Sequence, residues 1–88
     1  MPEPLAYVLS KHARRRLAQR RISIEMLERA LNAPDRRNPD PQDLDATRIF
    51  KRFHGAGGSA ILRVVYNHTA SPIRIITAFF ERKARPAK

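Results

Sequence analysis

Residues 59–80 read SAILRVVYNHTASPIRIITAFF. Two apolar, β-branched runs, Ser59 to Asn67 and Pro72 to Phe80, flank the turn-prone His68-Thr69-Ala70-Ser71. A period of two sends alternate side chains to opposite faces, so each run reads as a strand and the pair as an antiparallel hairpin. Upstream, Thr47 to Phe53 has the same character, and His54-Gly55-Ala56-Gly57-Gly58 joins it to the next strand as hairpin chemistry. An antiparallel meander is the expectation. Ala60, Leu62, Val64 and Tyr66 share one face of the second strand, and Ile73, Ile75, Thr77 and Phe79 one face of the third. These are the faces expected to pack on helices. The reverse faces carry Ile61, Arg63, Val65 and Asn67, then Arg74, Ile76, Ala78 and Phe80, with Arg48, Phe50 and Arg52 continuing them on the first strand. A one-residue bulge would exchange the faces.

Before the meander the period changes. Leu5 to Leu9 reads as a short strand or extended arm, and Ser10 as the N-cap of a helix over Lys11–Arg20, with Leu9, Ala13 and Leu17 as its apolar stripe. Lys11, Arg14, Arg15 and Arg21 lie away from that stripe. Ser23 is a second N-cap, with Ile22 and Leu27 placed as a hydrophobic staple and Glu25 favouring the positive end of the helix dipole. Ile24, Leu27 and Leu31 give this helix its core face, and Pro34 ends it. Asp35 to Asp45, broken by Pro39 and Pro41, reads as a loop, and Glu81 to Lys88 as a basic tail. The fold expected is α+β: one domain over residues 1–88, two N-terminal helices packed on a three- or four-stranded antiparallel sheet.

The 88 residues suit one domain with a thin core. Eighteen Lys and Arg face eight Asp and Glu, a formal charge of +10. Solubility asks only for a magnitude of about 2–8, so the excess points to a polyanion, and RNA is the first to test. Arginine dominates, and its planar fork grips phosphate through two hydrogen bonds. Without cysteine, neither a disulfide nor a thiolate metal site can form. No apolar run approaches the ~20 residues that cross a bilayer, and Met1-Pro2-Glu3-Pro4 lacks a signal peptide's basic flank. A cytoplasmic protein without a membrane partner is expected.

Arg63 and Arg74, among apolar neighbours on one sheet face, could grip phosphate or simply cover that face with their stems. Arg14, Arg15, Arg20, Arg48, Lys51, Arg52, Arg82 and Lys83 are the other candidates for nucleic-acid contact. His12 and Arg16, four residues apart, emerge on one side of the first helix. Imidazole exchanges protons near neutral pH, and guanidinium steadies an anionic transition state. The plainer reading of His12 is a hydrogen-bonded boundary residue, and of Thr77 a β-branched strand former. Asp40, Asp43 and Asp45 have no His at ligand spacing, and Gly55, Gly57 and Gly58 open no helix, so neither a metal nor another cofactor is expected.

Ser10-Lys11-His12-Ala13 through Arg16, Arg20 and Ile22-Ser23, closed by Asn32-Ala33-Pro34-Asp35, resembles a small prokaryotic domain-of-unknown-function family with an opening "kHA…R…R.I…" helical signature. That family is similar to the RelE and BrnT toxins and to the wider barnase–EndoU–colicin–RelE group of metal-free ribonucleases. Ile75-Ile76-Thr77-Ala78-Phe79 is similar to the closing "vvTay" strand of that group. The resemblance implies a metal-independent endoribonuclease toxin cutting mRNA or tRNA, with an acidic antitoxin as partner. His12 would be its general acid or base, Arg16, Arg63 and Arg74 would stabilise the phosphorane, and Thr77 would position a phosphate oxygen. One departure is Phe79-Phe80-Glu81, which intervenes before Arg82 and Lys83 where such toxins carry basic residues directly. The composition alone equally allows a non-catalytic RNA- or DNA-binding module, or a basic regulatory protein that docks an acidic partner.

Overall fold

The computed structural model describes residues 6–55 and 58–81. Its elements, in chain order, are β1 (Tyr7–Leu9), α1 (Lys11–Gln19), α2 (Ile24–Asn32), β2 (Arg36–Pro39), β3 (Ala46–Gly55), β4 (Gly58–Asn67) and β5 (Ile73–Glu81). The α+β class holds, but the sheet is larger than expected and mixed. Five strands lie in the order β1-β5-β4-β3-β2, with β1 parallel to β5 and every other pairing antiparallel.

An unseen pairing and an unseen strand account for the difference. Leu5 to Leu9 did suggest a strand, but its parallel partner across the chain leaves no local signal. The 35–45 segment hides β2 because Pro39 falls at its last residue on an edge strand, where a missing N–H breaks no interior ladder. His54, expected in a turn, lies inside β3 opposite Ser59.

Both helices are capped as their serines predict. Ser10 Oγ accepts from Ala13 N at 2.9 Å, and Ser23 Oγ accepts from Met26 N at 3.1 Å. Between the helices Arg21 adopts φ 56°. Ile22 N donates to Leu17 O at 2.9 Å and Arg21 N to Ala18 O at 3.3 Å, the paired bonds of a Schellman motif. Ile22 and Leu17 are both buried, which adds the apolar contact that usually accompanies that motif.

The core joins Ala13, Leu17, Ile22, Leu27, Ala30 and Leu31 of the helical half to Ile49, Leu62, Val64, Tyr66, Ile75 and Ala78 of the sheet. Leu62, Val64 and Tyr66 face the helices as their alternation predicts. On β5 the face changes partway. Val65 pairs with Thr77 and Tyr66 with Ile75, so Ile76 is an extra residue opposite no partner. Ile73 and Ile75 point to the helices as expected. Beyond the bulge Ala78 and Phe80 take that side, and Thr77 and Phe79 turn to the open face, reversing the expectation for that half.

Candidate nucleic-acid interface

Between Glu3 and Glu25 the sequence holds no acidic residue, yet it places Lys11, Arg14, Arg15, Arg16, Arg20 and Arg21 on or beside α1. The apolar stripe of α1 turns Ala13 and Leu17 inward, which obliges the charged positions to face water. Lys11, Arg14, Arg15 and Arg21 are exposed. Among the described residues every ion pair lies elsewhere: Arg48 with Asp40 at 3.4 Å, Lys51 with Asp35 at 3.7 Å, and Arg63 with Glu81. The sheet cations Arg48, Lys51 and Arg63 face local carboxylates, whereas among the described residues Arg36, Arg37, Arg52 and Arg74 of the sheet and all the cations of α1 make no ion pair. What sets α1 apart is density: six cations fall within residues 11–21 with no carboxylate among them.

His12 is exposed on this helix, and its Nε2 accepts from Arg16 Nε at 3.3 Å. Arg16 also donates to Gln19 Oε1 at 3.4 Å. The i,i+4 spacing thus brings the two side chains together.

Arg63, Arg74 and Thr77 lie elsewhere. With Arg48 and Arg52 they occupy the sheet face opposite the helices, which the bulge at Ile76 makes common to all of them. Lys51 sits on the other face, in register with Leu62. Among the described residues no hydrogen bond, ion pair or ring contact joins His12 or Arg16 to Arg63, Arg74 or Thr77. Arg82 and Lys83 lie outside the described residues.

Across the open face one row alternates cation and aromatic ring. Arg36, Phe50, Arg63 and Phe79 are successive register partners on β2, β3, β4 and β5. The Arg63 guanidinium sits 5.4 Å from the Phe50 ring centroid and 5.0 Å from that of Phe79. Its Nη2 bonds Glu81, and its Nε is buried without a partner. The other side of Phe79 is reached from α1: Arg20 lies 5.6 Å from its centroid.

Arg20 has a second task. Where β1 stops, the β5 carbonyls would be left open, and α1 closes that edge. Ser10 N donates to Ile75 O at 3.3 Å, Ser10 Oγ lies 3.5 Å from Ile76 O, and Arg20 Nη1 donates to Ala78 O at 3.2 Å. Sequence reading could place Arg20 on the helix but could not see this long-range bond. It also passed over Phe50 and Phe79 as ligand groups, because only the register sets them either side of Arg63.

Where β2 begins, the open face sinks into a cavity of about 220 Å³ lined by Asp35, Arg36, Phe50, Lys51, Arg52, Ile61 and Glu81. Asp35 Oδ2 accepts from the Arg52 backbone N–H at 2.8 Å. That bond first, and the positive charges of Lys51 and Arg52 after it, hold the Asp35 carboxyl below its ordinary range. On the far side of the molecule Tyr7 donates to Glu28 Oε2 at 2.8 Å; burial and that carboxylate push the phenol up to about 12.

Among the described residues no three His, Asp or Glu gather as a metal site, and no helix is long and apolar enough to cross a membrane. A family model described as "Domain of unknown function (DUF4258)" matches residues 9–80. No curated protein and no solved structure matches the chain. The family description names no toxin or nuclease, so kinship with RelE and BrnT rests on the sequence motifs alone.

Proposed function

The chain belongs to the family described as Domain of unknown function (DUF4258), and from that footing, which assigns no chemistry, we propose an RNA-binding domain that grips phosphates with α1. The observation that carries this reading is the density of exposed cations on α1. Lys11, Arg14, Arg15 and Arg21 are exposed on or beside one helix, and among the described residues none of them makes an ion pair. A guanidinium fork loses less side-chain entropy per hydrogen bond to phosphate than an ammonium does, and the counterions displaced add to affinity. The test is titration of a labelled single-stranded RNA with the purified protein. Saturable binding that Arg14→Gln and Arg15→Gln weaken together supports the reading; binding indifferent to both removes it.

A second reading, a RelE/BrnT-like metal-independent endoribonuclease, is favoured by one specific contact. His12 and Arg16 touch on the same cationic helix. In this reading Arg16 turns from His12 Nε2 to the phosphate, the nitrogen so freed takes the ribose 2′-hydroxyl proton, the 2′-oxygen attacks the adjacent phosphorus, and Arg16 offsets the charge of the phosphorane. The P–O5′ bond breaks, the leaving 5′-oxygen takes a proton from water whose hydroxide the imidazolium neutralises, and the product ends in a 2′,3′-cyclic phosphate. For Arg63, Arg74 and Thr77 to take part, the RNA must pass the β5 edge near Arg20 onto the open face. An acidic antitoxin covering α1 is the partner this reading implies, with mRNA or tRNA as substrate. Incubation with RNA in EDTA is decisive: cyclic-phosphate ends lost in His12→Ala support cleavage, and intact RNA leaves binding alone.

A further inference from the structure

Beyond the phosphate grip of α1, the open sheet face holds a cavity with an unusual lining. Phe50 and Ile61 give it an apolar wall, Arg36 and Arg52 give it cations, and Asp35 and Glu81 give it carboxylates. It forms because β2 starts at Arg36 opposite Phe50, so β3 beyond that point has no outer neighbour on the sheet. Its volume of about 220 Å³ falls below the ~300–1,000 Å³ of sites for drug-sized ligands. At ~30 Å³ per water it suits a flat group of single-ring or fused double-ring size.

We infer that this cavity is a nucleobase pocket, and that it takes an unstacked base bearing an exocyclic amino group, cytosine, adenine or guanine, in preference to uracil, from a single-stranded RNA. The inference rests on the reading of the domain as an RNA binder and adds a base-selective site to it.

Three features carry the choice of ligand. Phe50 lines the cavity with its ring, which the Arg63 guanidinium 5.4 Å from the centroid holds in place, so a base entering the cavity meets an apolar aromatic surface. Asp35 keeps acceptor capacity at the rim: its Oδ2 takes the Arg52 N–H at 2.8 Å and its Oδ1 faces the Lys51 ammonium in an ion pair at 3.7 Å, which leaves lone pairs on both oxygens. A carboxylate oxygen accepts from the N4 amine of cytosine, the N6 amine of adenine or the N2 amine of guanine and repels the O4 acceptor of uracil. Finally, Arg36 has no acidic partner among the described residues and is exposed on the rim, where a base's own phosphate would lie.

The experiment compares oligocytidine, oligouridine and inorganic polyphosphate of matched charge, binding to the unaltered protein, to Phe50→Leu and to Asp35→Asn. Expected is a preference for oligocytidine over oligouridine of about fivefold or more. Phe50→Leu should weaken oligocytidine binding about tenfold and leave polyphosphate unchanged. Asp35→Asn keeps an oxygen for the Arg52 N–H and should erase the preference for cytidine. Equal affinity for the two oligonucleotides overturns the inference while leaving the α1 reading intact, as does an equal loss of polyphosphate binding in Phe50→Leu. No RNA binding at all removes both. Photocrosslinking of a 5-iodocytidine oligonucleotide to the unaltered protein reads the same site without substitution. Crosslinks on the β3 peptide that carries Phe50 are expected, and crosslinks confined to residues 11–21 overturn the inference.

Discussion

Arg21 bears two opposed demands. Its φ of 56° is the left-handed conformation the Schellman turn needs, which an L side chain adopts at a cost of about 1–2 kcal/mol. Glycine carries no such cost, so a cation held there fits a selected charge better than a turn optimised for stability. Arg21→Gly should raise stability by about 1 kcal/mol, or about 4–8 °C in Tm, and weaken RNA binding; thermal melts and titrations on one preparation read both. Tyr7 makes a pH statement. Its phenol is raised from 10.0 to about 12, so the stability it contributes is complete below pH 10 and lost as pH climbs through 12. Alkaline titration followed by phenolate absorbance should show one tyrosine ionising near 12, and Tyr7→Phe should remove that step. None of this was legible from spacing. Arg21 was visible as a joint between helices but not as strained, and the Glu28 partner of Tyr7 lies 21 residues away.

The elements were easier to read than their neighbours in the sheet. Ser10 and Ser23 announced both helices because a side-chain oxygen before an apolar-periodic run has one obvious use, satisfying the first free N–H groups. The staple of Ile22 on Leu27 was equally plain, and both are buried. Leu27 is fully buried between α2 and the sheet, so Leu27→Ala should cost about 2–5 kcal/mol in a denaturant melt. A loss well under 1 kcal/mol would mean that α2 does not seat where it is described. The β3–β4–β5 meander followed from period-two alternation. What alternation cannot supply is a bulge: Ile76 looks like any other strand residue, yet it turns Thr77 and Phe79 to the face of Arg63. The edge strand β2 escaped, and the parallel pairing of β1 with β5 went unseen, for a related reason. Three or four residues are too few to show a period, and their pairing is set by tertiary contact.

At the scale of the molecule, net charge was visible at once and its distribution was not. The sum of +10 says nothing about which cations are spent on Asp35, Asp40 and Glu81 and which remain available. Folding decides that, by carrying Arg48, Lys51 and Arg63 against carboxylates and leaving the dense cations of α1 on the outside with no ion pair among the described residues. The domain thereby presents one helix as an electrostatic face and one sheet surface with rings and a pocket, joined where Arg20 crosses the β5 edge. Such a surface should bind single strands with strong dependence on salt. The most direct test is the slope of log affinity against log salt for a single-stranded RNA, compared among the unaltered protein, an Arg14→Gln/Arg15→Gln/Arg21→Gln variant and Arg48→Gln. The helix variant is expected to lose about 0.7 of slope per phosphate contact removed, roughly 2 in all, and Arg48→Gln to change little. An unchanged slope in the helix variant, or an equal loss in Arg48→Gln, would contradict the assignment of α1 as the phosphate-binding face.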